Sequence, residues 1–410
     1  MEHRLIREVE EALGWSGPEP LGEQFARGRI AHPDVLERLL TANRLLDMVM
    51  RRSLTNPQFR CFRGGEELHP RAYFSQDVNR RGQSIRMVNM RRLRHLLAGG
   101  ATLVLDQANV FDPTMEVACR AMQWWSRERV QVNVYLTTND ASGFDLHWDD
   151  HDVLVIQLAG EKEWEVRGAS RPVPMFRDAA RNDEPSQETI WAGSMTAGDV
   201  MHIPRDYWHQ ATRNGRGTGQ SMHMTLGFEK RTGVNWLAWL ADWSREVEVF
   251  RRDLDRWSGC PTDQHAQQQE LAEAARTLID SRGPTGFLAA REQAAAPGRH
   301  VPFLDIFGPL QAVVCITEFS PQIIEHDESV NVLAGGKKLT FTAKALPALR
   351  LLLSGHPVHL AHAATAVGAE VEELATILTD EELCAPLTTE LSSGYTDLVT
   401  NAACWPPPST

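Results

Sequence analysis

Residues 145–152, DLHWDDHD, set two histidines and four aspartates directly ahead of the apolar run VLVIQL. Side chains alternate between faces along an extended strand, so His147 and Asp149 point to one side while Trp148 and Asp150 point to the other. An imidazole and a carboxylate at this H-x-D spacing supply two ligands of a facial metal site. The third ligand can come from a distant strand, which leaves the opposite face of the metal open to substrate and oxygen. An isolated H-x-D is also what a solvated strand end offers by chance, so the neighbouring sequence decides its weight.

After VLVIQL comes AGE, which reads as a turn, and then KEWEV, which places Lys162, Trp164 and Val166 on one strand face and Glu163 and Glu165 on the other. The first face is the apolar one. A lysine on it is costly unless an anion neutralises it or its stem lets the ammonium snorkel to water, and a bound carboxylate would be such an anion. Downstream, AGDVMHIPRDYWHQA gives a strand, a proline-bearing turn and then His209, lifted to a rim by that turn. His202, just before Ile203 and Pro204, reads as a structural histidine. SMHMTLGF sets Ser221, His223 and Thr225 against Met222, Met224 and Leu226. VQVNVYLTT sets Asn133, Tyr135 and Thr137 against Val132, Val134 and Leu136. Two strands with polar faces inside an apolar unit point to a pocket.

The elements that must hold these residues follow from periodicity. Residues 1 to about 50 carry apolar positions at helical spacing, as in PDVLERLLTANRLLDMVM. Short strand-like runs extend from FRCFRGG to GATLVLDQANVF, followed by a helix in PTMEVACRAMQWW. Between Val130 and about Phe228 come several strands punctuated by Gly, Pro and Asn/Asp turns, the pattern of a sandwich or barrel. The helical pattern then returns through about Ala295, with AAAPGRH as a linker. The segment from about Phe303 to Asn401 holds three short helices (LPALRLLLSG, LAHAATAVG, EVEELATILTDEELC) and then LSSGYTDLV, readable as a hairpin wing. The tail WPPPST reads as unstructured.

Composition narrows the function classes. With 410 residues, 42% hydrophobic and 23% charged, the chain has material for two or three domains with real cores. The opening MEHRLIREVEEALGW reads as neither a secretory signal nor an organelle-targeting peptide. No window approaches the roughly 20 apolar residues that span a bilayer, so a cytoplasmic protein with no membrane partner is expected. Six scattered cysteines without a CxxC pair disfavour a zinc ribbon, a redox dithiol or a disulfide framework and read as reduced, mostly buried thiols. The formal charge of −12 disfavours broad nucleic-acid binding and fits a basic partner. Between Asp305 and Thr400 four basic residues face thirteen acidic ones, a balance that would repel DNA.

The motifs NVYLTTNDASGFDLHWDDHDVLVIQLAGEKEW, AGDVMHIPRDYWHQA and SMHMTLGF, in that order, resemble the Jumonji-C/cupin-type ribosomal oxygenases, iron(II)- and 2-oxoglutarate-dependent protein hydroxylases. They cover about residues 100 to 228. The resemblance implies an α+β chain. A double-stranded β-helix (cupin/jelly-roll) core with its N-terminal helices would occupy 1–228, a helical dimerisation region 229–300 and a winged-helix-like domain 301–410. It implies His147, Asp149 and His209 as iron ligands and catalytic centre, with O2 and 2-oxoglutarate as cosubstrates. Lys162 falls where the family holds the distal carboxylate of 2-oxoglutarate, and Thr138 where a family hydroxyl shares that task, although its strand parity opposes that of Asn133 and Tyr135. Asn133, Tyr135 and Ser221 match pocket-lining positions. One position departs from the family's IPxGxxH pattern: Asp206 stands where glycine is frequent, which puts the shape of that turn in question.

The implied reaction is oxidative decarboxylation of 2-oxoglutarate to succinate and carbon dioxide, coupled to hydroxylation of an Arg- or His-type side chain in a basic protein, a ribosomal one within this family, by a homodimer. The alternatives are a tailoring hydroxylase of a peptide or natural product and, from another class, a non-enzymatic metal-binding cupin or transcription regulator.

Overall fold

A computed structural model describes residues 1–399 except 142, 178–179, 230, 258, 295–297 and 302–307. Residues 295–297 of the linker read in AAAPGRH and all of the tail WPPPST lie outside the described residues. The lead-in is helical as expected, with α1 (Arg4–Leu13), α2 (Asp34–Leu39) and α3 (Ala42–Arg51), but it also contributes a strand, β1 (Ala26–Arg29). Then come β2 (Phe59–Arg63), β3 (Glu66–Glu67), the hairpin β4 (Phe74–Val78) and β5 (Ser84–Val88), α4 (Met90–Ala98), β6 (Thr102–Leu105) and α5 (Pro113–Ser126). Asp112 caps α5 by accepting the amides of Thr114 and Met115, and Pro113 occupies the first turn, where no amide hydrogen is needed.

The strands that follow build the site: β7 (Val130–Thr138), β8 (Asp152–Ala169), β9 (Thr189–Thr196), β10 (Asp199–Ile203), β11 (Tyr207–Thr212) and β12 (Gln220–Phe228). The turn expected at AGE is instead a bend within one strand of 18 residues, β8. Its first half lies between β10 and β12, and its second half lies between β9 and β11. Gly160 makes that crossing possible. Its φ is +64°, and a Cβ there would stand 1.8 Å from the Gln220 carbonyl oxygen, so both the backbone conformation and the close approach require glycine. The neighbouring strands run antiparallel in the order β1-β10-β8-β12-β7-β6-β2-β3. Leu136, Met222, Met224 and Leu226 pack outward with Leu5, Leu103 and Met122 into the main core, leaving the opposite faces of β7 and β12 to the pocket.

A helical segment follows: α6 (Gly233–Ser244), α7 (Glu248–Arg251), α8 (Pro261–Ser281) and α9 (Pro284–Glu292). Thr232 and Asn235 close a reciprocal capping box on α6. The rest of the chain forms a second core. Its three expected helices are present as α10 (Leu346–Leu352), α11 (Leu360–Val367) and α12 (Glu370–Asp380). Ahead of them stand strands that helical periodicity did not reveal: β13 (Ala312–Cys315), β14 (Gln322–Glu325), β15 (Ser329–Ala334) and β16 (Lys337–Thr342). The short β17 (Val358–His359) and β18 (Cys384–Pro386) flank β13 in a second small sheet. LSSGYTDLV is no hairpin. It enters the short helix α13 (Thr389–Ser393), Leu391 and Tyr395 are buried against α5, and Arg120 of α5 donates to the Tyr395 hydroxyl at 2.8 Å.

Candidate metal centre and pocket

His147 and Asp149 lie just before β8, and His209 lies on β11. A backbone bridge joins the two histidines, with the His209 amide donating to the His147 carbonyl at 2.7 Å and the reverse bond at 3.1 Å. One ligand atom from each of His147, Asp149 and His209 falls within 4.8 Å of the others, with His209 Nε2 and Asp149 Oδ2 3.6 Å apart. Each imidazole is oriented by a backbone carbonyl. His147 Nδ1 lies 2.7 Å from the Asp145 oxygen and His209 Nδ1 lies 3.1 Å from that of Tyr207. A carbonyl can only accept, so Nδ1 carries the hydrogen and Nε2 keeps its lone pair, as a metal-ligating imidazole requires. Burial, with repulsion from His147, pushes His209 down to about 4, so its ring is neutral. The donor set and its directions fit a divalent first-row metal, with one side left open.

The turn before His209 resolves the question raised by Asp206. Its backbone adopts φ +84°, the left-handed region that glycine enters without strain. Aspartate is among the residues that tolerate it. Asp206 Oδ2 accepts the Val173 amide at 3.0 Å, and its own amide donates to the Asp149 carbonyl at 3.2 Å. The turn thus keeps the shape that glycine would give and ties the Asp149 backbone to the loop after β8.

The triad lines a cavity of about 440 Å³, within the size range of small-molecule sites. Lys162 is 1% exposed, its Nζ is 3.2 Å from Thr137 Oγ1, and burial, with repulsion from Arg213, pushes it down to about 7. It does not snorkel, and among the described residues no carboxylate pairs with it. Gly143 packs closely over this end, where a Cβ would meet the Ala211 carbonyl oxygen at 2.0 Å.

Asn133 and Tyr135 line the cavity as expected, together with Phe144, Trp164 and Thr225. Asn133 accepts the Gln107 amide at 3.0 Å. Two expected positions do not reach it. Thr138 is turned away and donates to the Leu97 carbonyl at 2.6 Å, because residues one apart on a strand face opposite sides. Thr137, which shares the parity of Asn133 and Tyr135, takes the place beside Lys162. Ser221 is buried away from the cavity lining and accepts from Gln157 Nε2 at 2.7 Å. His202, read as structural, is buried with Nδ1 on the Gln24 carbonyl and its edge on Trp15. Arg60 and Asp106, which no local motif announced, form an ion pair at 2.7 Å in the cavity wall. A second cavity of about 440 Å³ adjoins it through shared Gln131 and His151, and its walls include Asp150, Glu229 and Glu318.

Residues 105–236 match the JmjC domain. This segment is therefore JmjC-like. The bifunctional lysine-specific demethylase and histidyl-hydroxylase NO66 of Caenorhabditis briggsae is 31% identical over 137 residues, covering 32% of this chain and 17% of that protein. Ribosomal oxygenase 1 of Gallus gallus is 27% identical over 168 residues, 40% of this chain and 28% of that protein. The chain thus spans less than a third of the length of these relatives. Among solved structures, the X-ray structure of E. coli ycfD aligns with a TM-score of 0.56 at 16% identity, covering 94% of this chain and 99% of that one. A second structure, of the E. coli ribosomal oxygenase YcfD in complex with cobalt and 2-oxoglutarate, aligns with a TM-score of 0.54 over 91% of this chain. At such identity the likeness establishes a shared fold that extends across the JmjC domain and the segments after it. Among the described residues no helix is long and apolar enough to cross a membrane.

Proposed function

We propose that this chain is an iron(II)- and 2-oxoglutarate-dependent oxygenase that hydroxylates an Arg- or His-type side chain of a basic, ribosomal protein. The observation that carries it is the pairing, in one cavity, of a two-histidine, one-carboxylate cluster with a buried lysine that has no carboxylate partner among the described residues. Each half supplies what the other needs. A metal held by His147, Asp149 and His209 would activate oxygen, and Lys162 would neutralise the distal carboxylate of a 2-oxo diacid. Thr137 holds the ammonium in place, Trp164 and Phe144 wall the cavity against water, and Asn133 and Tyr135 line the side on which cosubstrate and target meet.

The adjoining cavity, whose walls carry Asp150, Glu229 and Glu318 together with Arg129 and Arg205, gives an extended chain room to lie beside the metal, and the formal charge of −12 of the whole chain suits a basic target. The names of the matched relatives, a histidyl-hydroxylase and ribosomal oxygenases, favour the same class. Three units fit this activity: the catalytic domain over 1–228, the helical region over 229–300 as a homodimer interface, and the acidic 301–410 unit, winged-helix-like, as a protein-docking element. Purified protein with iron(II), 2-oxoglutarate and ribosomal proteins of the same source should add one oxygen to a single protein. Succinate formation with no mass gain on any of them would move the substrate to a small peptide or natural product. Salt-dependent nanomolar binding of duplex DNA by the full chain would overturn the docking role of the acidic unit.

A further inference from the structure

Besides Lys162, which Thr137 holds from behind, the cavity wall carries another buried polar side chain whose role is unassigned. His223 sits on β12 opposite Tyr135 of β7 and Gln157 of β8. It is 3% exposed and lines the cavity, and its Nδ1 is buried with no hydrogen-bond partner among the described residues. A buried polar atom left unpaired costs about 1–3 kcal/mol, so such atoms are rare and mark places where something else completes the bond. The ring cannot turn aside to find a partner. It stacks on Tyr135 with centroids 4.7 Å apart and planes 4° from parallel, and Trp164 meets it edge-on at 5.2 Å. Trp164 Nε1 is likewise buried without a partner.

We infer that His223 is a positioning residue that acts as a neutral hydrogen-bond donor to the distal carboxylate of the bound 2-oxo acid, sharing it with Lys162 and Thr137. This rests on the reading of the cavity as a 2-oxoglutarate site. The charge balance favours a neutral ring. A carboxylate carries one negative charge and several acceptor positions, Lys162 already supplies a cation to it with the buried Arg213 guanidinium close by, and a further buried cation would go uncompensated. Burial and the adjacent Lys162 ammonium hold His223 well below its ordinary value, so the ring remains a neutral donor when the lysine is charged. His223 therefore selects for a 2-oxo acid that has a second carboxylate at the right reach, a task separate from holding the metal.

The test compares two ligands on the full chain loaded with manganese(II) under nitrogen, by calorimetry. 2-Oxoglutarate carries the distal carboxylate, and 2-oxobutyrate has the same 2-oxo acid head without it. His223→Phe keeps the stack on Tyr135 and removes the donor. It should weaken 2-oxoglutarate by about 10- to 100-fold, the range for a hydrogen bond to a charged group, and leave 2-oxobutyrate and manganese unchanged, while His223→Gln recovers part of the loss. Equal weakening of both acids, or no weakening of 2-oxoglutarate, would make His223 a packing residue and overturn the inference alone. If the wild-type protein binds manganese yet shows no preference for 2-oxoglutarate over 2-oxobutyrate, the cosubstrate reading itself fails, and this inference with it.

Discussion

The floor of the JmjC cavity and the helical segment that follows it break opposite rules. Around Lys162, polar groups are buried where a core would be apolar: Lys162, Thr137 and His223 are all under 4% exposed. Along α6–α9, apolar groups are exposed where a surface would be polar. Val234 and Leu237 are more than half exposed, Leu254 is 73% exposed and Trp257 is 87% exposed. The first departure costs desolvation, and the second leaves greasy surface in water. Each is offset if the chain is not alone. The floor would be completed by the anion, and the helical face by the second copy, that the proposed function calls for. The two partners therefore differ in kind, and the two regions can be broken separately.

Removing the metal ligands should have the largest effect. His209→Ala or Asp149→Ala should abolish metal binding, measured by metal analysis after gel filtration, and abolish succinate formation with it. A chelator should do the same reversibly in the wild-type protein. Neither change should alter the oligomeric state, which separates the cavity from the helical face. Conversely, Leu237→Glu combined with Trp257→Glu should weaken self-association by roughly 2 kcal/mol or more, as expected for apolar anchors of an interface, and leave metal binding intact. Sedimentation velocity checks this, and a wild-type chain that is already monomeric at micromolar concentration would remove the dimer.

A smaller effect concerns pH. Burial holds Lys162 at about 7 in the ligand-free fold, against an ordinary 10.5. Between those values the unfolded chain binds more protons than the folded one, so the stability tied to this group is full above about 10.5 and is lost as the pH falls to about 7. Denaturation midpoints across that window should rise with pH more steeply for the wild-type protein than for Lys162→Met. The smallest contrast lies between neighbours. Thr137→Val should weaken 2-oxoglutarate binding by about 1 kcal/mol, as for one hydrogen bond, and Thr138→Val, whose hydroxyl bonds the Leu97 and Ala101 backbone away from the cavity, should leave it unchanged in the same titration.

Much of the site was legible in the sequence because strand parity and charge are local properties. The H-x-D spacing, the lysine on an apolar face and the polar faces of β7 and β12 needed only alternation to be seen. Parity even signalled the error at Thr138, since Thr137 shares the face of Asn133 and Tyr135. What was not legible depends on contacts distant in sequence. Arg60 and Asp106 reach the cavity only through the pairing of β2, β6 and β7. The bend at Gly160 looked like a turn because a strand that leaves one sheet for another carries the same glycine as a hairpin. β13 is buried on both faces and shows no alternation, and β14, β15 and β16 are only four to six residues each, too short to stand out beside the helical runs that follow. Asp206 could be flagged as a departure, but only its backbone conformation explains why the turn survives.

The account rests most directly on one number, the Michaelis constant for 2-oxoglutarate in Lys162→Met. That variant keeps the apolar stem and removes the charge, and His147, Asp149 and His209 are untouched. Removing one partner of a buried charge pair should cost about 2–5 kcal/mol, so the Michaelis constant should rise by orders of magnitude while iron still binds. An unchanged Michaelis constant would mean that Lys162 does not face the cosubstrate, and the chain would then be a metal-binding cupin without a 2-oxoglutarate site.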